Sequence, residues 1–356
     1  MKKYEEIYHD YKNAILNGTY KDGGRLPTEE QIARQYGTSR VPVQQAMNAL
    51  IGNGLVKRII GSGTFVTYSS NLPGGKNCKT VFLVNELNPE TAQMVEGIQE
   101  VLHSRDIFVS VRFSQGDAAV EREVLEQLKN GEIMGLIVYS NDTTTNIDLI
   151  YELLVKRMSL VFVDKLPNGL VGNCVMSDPL QAMDALIGHL YNMGHRRIAM
   201  VTHDLQLRSS ALQRLQMGRL AMQKYGLDLP DRYIRSSQNW DENIVDLVSL
   251  PQPPTAIVFT AAVLAFNCAP AFKRLGIRIP QDLSIVAHDD IKRFSKIYGL
   301  KLTSVGQDYY GIGRVAAERL YSYMVQPDNR YLLEYLPVTF TGDGESVKEL
   351  HTGSKE

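Results

Sequence analysis

Beyond residue 80 the chain alternates apolar runs of strand length with amphipathic helices, and it does so in two successive series. The first series has strand-like runs at 81–84, 108–111, 135–139 and 160–163, separated by helical patterns near 92–104, 118–130 and 146–156. The second has runs at 198–201, 256–259 and 284–287 among helical patterns at 178–193, 208–225, 242–249, 262–275 and 308–324. A strand that is apolar at every position is covered on both faces, and helices between such strands supply the cover. The pattern predicts parallel α/β sheets, and two series predict two lobes with a cleft between them. Ligands in such folds bind at the carboxyl ends of the strands.

The first 67 residues have a different texture. Tyr4, Ile7, Tyr8, Tyr11 and Ile15 recur at three- and four-residue steps, predicting a helix over 3–17 closed by Asn17-Gly18. Thr28 with Gln31 is a capping box that starts a second helix, closed by Gly37. After a short turn Ser39 caps a third helix. Pro42 fits its first turn, and Val43, Ala46, Met47 and Leu50 make its inner face. Two β-rich runs around Gly61-Ser62-Gly63 predict a hairpin. Helix, helix, tight turn, helix and hairpin is the order of a winged helix-turn-helix. Residues 68–78 are polar, contain Pro and Gly, show no periodicity, and read as a linker. The expected plan is a head over 1–67, that linker, a two-lobed body over 79–346, and a tail over 347–356.

Composition narrows the function classes. The net charge of −1 conceals an asymmetry, since residues 1–70 hold nine Lys/Arg against six Asp/Glu. A mildly basic head on a slightly acidic body suits a polyanion for the head alone. The three cysteines, Cys78, Cys174 and Cys268, lie far apart and form no CxxC pair, so neither a disulfide framework nor a zinc site is indicated, and the pattern suits a reducing cytoplasm. The opening MKKYEEIYHD has no apolar core of a secretory signal. The apolar stretch 256–266 is too short to span a membrane. No GxSxG, P-loop, HExxH or dinucleotide fingerprint occurs, so neither an enzyme nor a cofactor is expected.

Residues 26–66 resemble the signature of the GntR family of bacterial regulators nearly throughout. LPTE, SRVPV and GSGTFV occur in order and at that family's distances. The resemblance implies double-stranded DNA as partner, with the third helix in the major groove. Its reading residues would be Ser39, Arg40, Val41, Pro42, Gln44 and Gln45. Arg40 can fork onto guanine or clamp a phosphate, and the glutamines can pair with adenine. Thr28 and Glu30 begin the helix that crosses the phosphate backbone. Lys57 and Arg58 add charge on the wing, and Gly61, Ser62 and Gly63 let its tip approach the minor groove. One departure stands out. The family usually has Arg where this chain has Gln44, which leaves the operator sequence open.

The body is similar to the sensor domain of the lactose/galactose repressor family, itself like periplasmic sugar-binding proteins. The residues that carry this are Asn88-Pro89, the VFVD run ending at Asp164, GHRRIA at 194–199, IPQDLSIVAHDD at 279–290, and Leu302–Val305 with Gln307. With the GntR-like head, the architecture is that of the arabinose-repressor subgroup. The resemblance places Asp164, Arg208, Arg214, Asp289 and Gln307 in the cleft. Trp240, in the polar run QNWDEN, is a candidate to stack on a sugar ring. Other readings stay open: the arginines as solvated helix residues, Asp289 as a helix N-cap, Trp240 as core. His195-Arg196-Arg197 reads as a helix end. Two departures touch the ligand set. Ala261-Ala262 stands where the family commonly has Asn-Asp, and Met217 where it has a helix glycine.

The expected function is a ligand-responsive repressor that binds a near-palindromic operator as a homodimer. The resemblance suggests helices near 92–104 and 308–324 for the dimer face. The expected effector is a monosaccharide, arabinose first and fucose or a similar sugar next, with a nucleoside, a sugar phosphate or another anionic metabolite as the alternative.

Overall fold

The computed structural model describes residues 3–350 apart from 17–18, 22, 53–54, 60, 68–78, 140–145, 168, 206–208, 237, 290–293, 297–298 and 327–329. The expected linker therefore lies outside the described residues. In the head, α1 (Lys3–Leu16) buries Ile7, Tyr11 and Ile15. These meet the inner face of α3 (Arg40–Gly52), namely Val43, Ala46, Met47 and Leu50. Between them, α2 (Glu29–Gln35) opens with the capping box the sequence predicts. Thr28 Oγ1 accepts from the Gln31 amide at 3.3 Å, and Gln31 Oε1 accepts from the Thr28 amide at 2.8 Å. The wing is an antiparallel pair, β1 (Val56–Ile59) and β2 (Gly63–Val66). Its turn needs glycine, since Gly61 and Gly63 have φ of 79° and 120°. Gly63 also leaves room for the Arg25 guanidinium, whose Nε would lie 2.7 Å from a Cβ there.

The body has two six-stranded sheets of matching order. The first runs β4 (Phe108–Phe113), β3 (Lys79–Val84), β5 (Gly135–Tyr139), β6 (Leu160–Val163), β7 (Asn173–Ser177) and β13 (Leu333–Leu336). The second runs β9 (Ile234–Arg235), β8 (Ile198–Val201), β10 (Ala256–Phe259), β11 (Ser284–His288), β12 (Thr303–Gly306) and β14 (Thr339–Thr341). All pairings are parallel except β12 with β14. Strands β6, β8, β10 and β11 are buried at every residue, as continuous apolar runs between helix layers require. In the first lobe those layers include α4 (Pro89–His103), α5 (Ala118–Lys129) and α6 (Ile147–Val155). The second lobe has α7 (Pro179–Asn192), α8 (Ser209–Lys224), α9 (Trp240–Val248) and α10 (Ala262–Arg274).

The chain crosses between the lobes three times: after β7, between β12 and α11 (Tyr309–Val325), and between β13 and β14. Helix α11 returns to the first lobe and packs on α4. Each helix offers the other a glycine: a Cβ on Gly97 would come 2.2 Å from the Tyr310 carbonyl, and one on Gly313 2.2 Å from that of Met94. The two helices expected at a dimer face therefore cover one another, and only their outer sides are left for a second copy.

Two residues of the segment expected as a tail are hydrogen-bonded to the second lobe. Lys348 N donates to Ser284 Oγ at 3.1 Å, and Leu350 N to the Met193 carbonyl at 2.8 Å. His195, which the sequence reads as a helix-end residue, anchors this segment. It is fully buried, with Nδ1 2.9 Å from Thr255 Oγ1 and Nε2 3.1 Å from the Lys348 carbonyl. Burial pulls its pKa down to about 4. Between that value and the ordinary value near 6.5, only the unfolded chain takes up the proton, so stability falls as pH drops through this window. The expected loss by pH 4.5 is about 2–3 kcal/mol. Urea unfolding at pH 7 and 4.5 checks it: His195→Gln should flatten the difference, and an equal slope in both proteins would discard this role.

Candidate functional site

Two surfaces collect the residues singled out in the sequence. On the head, α3 buries one side and leaves Ser39, Arg40, Val41, Gln44 and Gln45 exposed on the other, with Pro42 half-buried between them. Val41 is 60% exposed, a large apolar side chain with no packing role in the head and well suited to a thymine methyl. Lys57, Gly61 and Ser62 are exposed along the wing, with Gly63 half-buried behind its tip. Two details differ from expectation. The Thr28 amide is spent inside the capping box, which leaves the next amides of that turn to face a phosphate. Arg58 is ion-paired to Glu29, and Glu30 to Arg34 at 2.8 Å, so Lys57 is the less engaged cation of the wing.

The second surface is the cleft between the lobes. Asp164 follows β6 and Asp289 follows β11, at matching places in the two sheets. Both adopt left-handed backbone, with φ of 67° and 70°, and both bond their amide to the next strand, Asp164 to Val175 O at 2.9 Å and Asp289 to Val305 O at 2.8 Å. A non-glycine residue held there costs of order 1 kcal/mol or more and points to a functional demand. Asp289 Oδ1 accepts from Gln307 Nε2 at 2.7 Å and from the Tyr309 hydroxyl at 3.0 Å. Its Oδ2 lies 3.3 Å from His288 Nδ1. Burial and the nearby Arg214 drive the His288 pKa down, against the pull of Asp289. Burial alone would raise Asp289, but His288, Arg214 and Gln307 outweigh it and hold the carboxyl well below the usual range.

Arg214, on α8, donates to the Thr260 carbonyl at 2.8 Å, at the carboxyl end of β10. Tyr139, at the end of β5, is hydrogen-bonded to Asp164, and that carboxylate with burial raises its phenol well above the usual value. Burial, Asp289 and Asp164 do the same to Tyr309. Asp164, Arg214, Asp289 and Gln307 thus converge with Tyr139, Tyr309 and His288, which sequence reasoning missed as site residues. Trp240 is half-buried against the second-lobe core, edge-on to His203 with ring centres 6.3 Å apart. Arg208 lies outside the described residues. Ala261 caps α10 without a side-chain acceptor, in keeping with the polar contact missing there. Next to Met217, Gly218 packs closely, and a Cβ there would stand 2.5 Å from the Met200 methyl. A cavity of about 230 Å³ opens at the cleft rim, between Lys165, Leu166 and Pro167 of one lobe and Ser209, Leu212 and Gln213 of the other. Among the described residues no group of three or more His, Cys, Asp or Glu is placed to hold a metal, and no helix is long and apolar enough to cross a membrane.

Residues 3–66 match the family of bacterial regulatory proteins called gntR, and residues 187–339 match the periplasmic binding protein-like domain. The chain is a GntR-family head joined to a periplasmic-binding-protein-like body. It is 29% identical over 336 residues to an arabinose metabolism transcriptional repressor of Geobacillus stearothermophilus, covering 90% of each chain. A ribose operon repressor of Haemophilus influenzae is 26% identical over 250 residues, which is 68% of this chain and 73% of that one. Among solved structures, a putative LacI transcriptional regulator from Bacillus cereus superposes with a TM-score of 0.66 at 22% identity, over 77% of this chain and all of that one. A LacI-family regulator from Enterococcus faecium with bound ribose gives 0.60 at 21%, over 76% and 99%. The last two establish the two-lobed fold of the body.

Proposed function

We propose that this chain is a transcription repressor whose hold on DNA is set by a small sugar bound between the lobes of its body. One observation carries the reading: an α3 with an open polar face and a polar cleft with two matched carboxylates sit on one chain, in the order its repressor relatives share. The head places Ser39, Arg40, Val41, Gln44 and Gln45 in the major groove of an operator, with the wing alongside. Two such heads need two-fold symmetry, so the working form is a homodimer. It works in the cytoplasm, where the DNA is.

The cleft favours a neutral polyol. Two carboxylates stand beside the Arg214 guanidinium and the Lys165 ammonium, which lies over the Tyr139 ring, so the described groups balance in charge and offer acceptors for hydroxyl donors without an excess of cations for a phosphate. A pentose is the first choice, L-arabinose ahead of ribose or fucose, by likeness to the arabinose repressor. Lobe closure on the sugar moves the heads and changes operator affinity.

A gel shift on the DNA upstream of the chain's own gene, with and without L-arabinose, tests this. Binding is expected at low salt and should fall about 10³-fold or more between 50 and 200 mM, as several phosphate contacts release their counterions. No complex at 50 mM salt would end the repressor reading, and a shift that no carbohydrate alters would end the sugar assignment.

A further inference from the structure

Tyr309 is the first residue of α11, and its ring packs against the first-lobe core. Its hydroxyl nonetheless donates to Asp289 of the second lobe, at 3.0 Å. Gln307, in the crossing segment between the lobes, donates to the same oxygen at 2.7 Å and to the Tyr309 oxygen at 2.8 Å. Three polar groups close a triangle that straddles the lobes. The tyrosine bonded to Asp164, Tyr139, belongs instead to the same lobe as Asp164.

We propose that Tyr309 is a positioning residue for the effector: it latches the first lobe to Asp289, fixes Oδ1, and leaves Oδ2 to receive a hydroxyl of the ligand. The inference rests on reading the cleft as the effector site. A carboxylate oxygen directs two lone pairs in its plane, and Oδ1 fills both with Gln307 and Tyr309. Among the described residues the side chain at Oδ2 is His288, whose buried Nδ1 lies 3.3 Å away, a longer and weaker contact than the two at Oδ1. Oδ2 is therefore the less engaged of the two oxygens, and the one with capacity for a ligand hydroxyl. Moving the first lobe away takes the Tyr309 hydroxyl with it and leaves Asp289 held by Gln307 alone. The aimed carboxylate exists in the closed arrangement only, so a sugar that needs it selects closure. The aromatic ring supplies packing and the hydroxyl supplies the latch, and Tyr309→Phe separates the two.

The test uses the full chain with Cys78→Ser, carrying nitroxides at Glu132→Cys and Gln223→Cys, exposed positions on the two lobes, diluted into unlabelled protein. Double electron–electron resonance reads the lobe separation. Without sugar, Tyr309→Phe should broaden the separation toward longer distances, with the melting temperature within about 2 °C of the parent. With L-arabinose as probe, calorimetry should show affinity about tenfold weaker in the variant, and saturating sugar should return the separation to that of the parent. An unchanged ligand-free distribution in Tyr309→Phe overturns the latch. If L-arabinose fails to bind the parent protein, the sugar reading fails instead, and the ligand-free distances still decide the latch.

Discussion

Arg40→Ala will weaken operator binding about 100-fold or more at fixed salt while the head stays folded. Arg40 opens α3 on its exposed side and contributes nothing to the buried set of Val43, Ala46, Met47 and Leu50. A guanidinium at that place forks onto guanine or phosphate, worth about 1–3 kcal/mol per contact. A symmetric dimer loses the contact twice, so about 2–6 kcal/mol goes, and 100-fold lies inside that range. Fluorescence anisotropy on an operator fragment measures the loss, and a thermal melt shows that the fold is kept. A loss below about threefold would remove Arg40 from the interface. Gln44→Arg is the complementary probe. It adds a cation at an exposed position one helical turn on, and it should steepen the salt dependence by about one unit per head.

The head was legible because its instructions are local. The capping box at Thr28 and Gln31, the glycines of the wing and the inner face of α3 each involve neighbours a few residues apart. The fully buried strands of the body were legible for a related reason, since an apolar run announces burial on both faces. β13 and β14 were not. Each is an edge strand whose residues are mostly exposed, so LEYL and TFT show neither an apolar run nor alternation, and only pairing to β7 and β12 makes them strands. β7 was missed because NCVMS mixes polar with apolar residues although all five are buried.

The cleft divides the same way. Asp164 and Asp289 were named because the runs they end, VFVD and IVAHDD, resemble those of the lactose/galactose repressor family. Tyr139 ends an apolar run, yet its ring reads as core, and only the assembled lobe shows its hydroxyl on Asp164. Tyr309 reads as the start of an amphipathic helix. Its partner Asp289 is twenty residues earlier and in the other lobe, a relation set by the second crossing of the chain. Chain order alone carried no signal for it, whereas matching the strand ends of the two lobes would have exposed Tyr139.

Asp289→Asn should cut the response to L-arabinose about 10- to 100-fold and leave stability and DNA binding close to those of the parent. Asparagine is the right replacement because the backbone at 289 is left-handed, φ 70°, a region asparagine tolerates better than other side chains. An amide oxygen can take the place of Oδ1 and still accept from Gln307 and Tyr309. The amide nitrogen then takes the place of Oδ2, 3.3 Å from His288 Nδ1, and the imidazole can accept from it once its proton sits on Nε2. The fold therefore keeps its contacts to Gln307 and Tyr309 and loses little. The ligand loses a charged acceptor, worth about 1.5–3 kcal/mol, and meets a donor where its hydroxyl must itself donate. Titration calorimetry with L-arabinose, beside a gel shift without it, separates the two effects. Sugar affinity within twofold of the parent would place the effector elsewhere than at Asp289, and a collapse of the melting temperature would show that the carboxylate serves the fold before it serves the ligand.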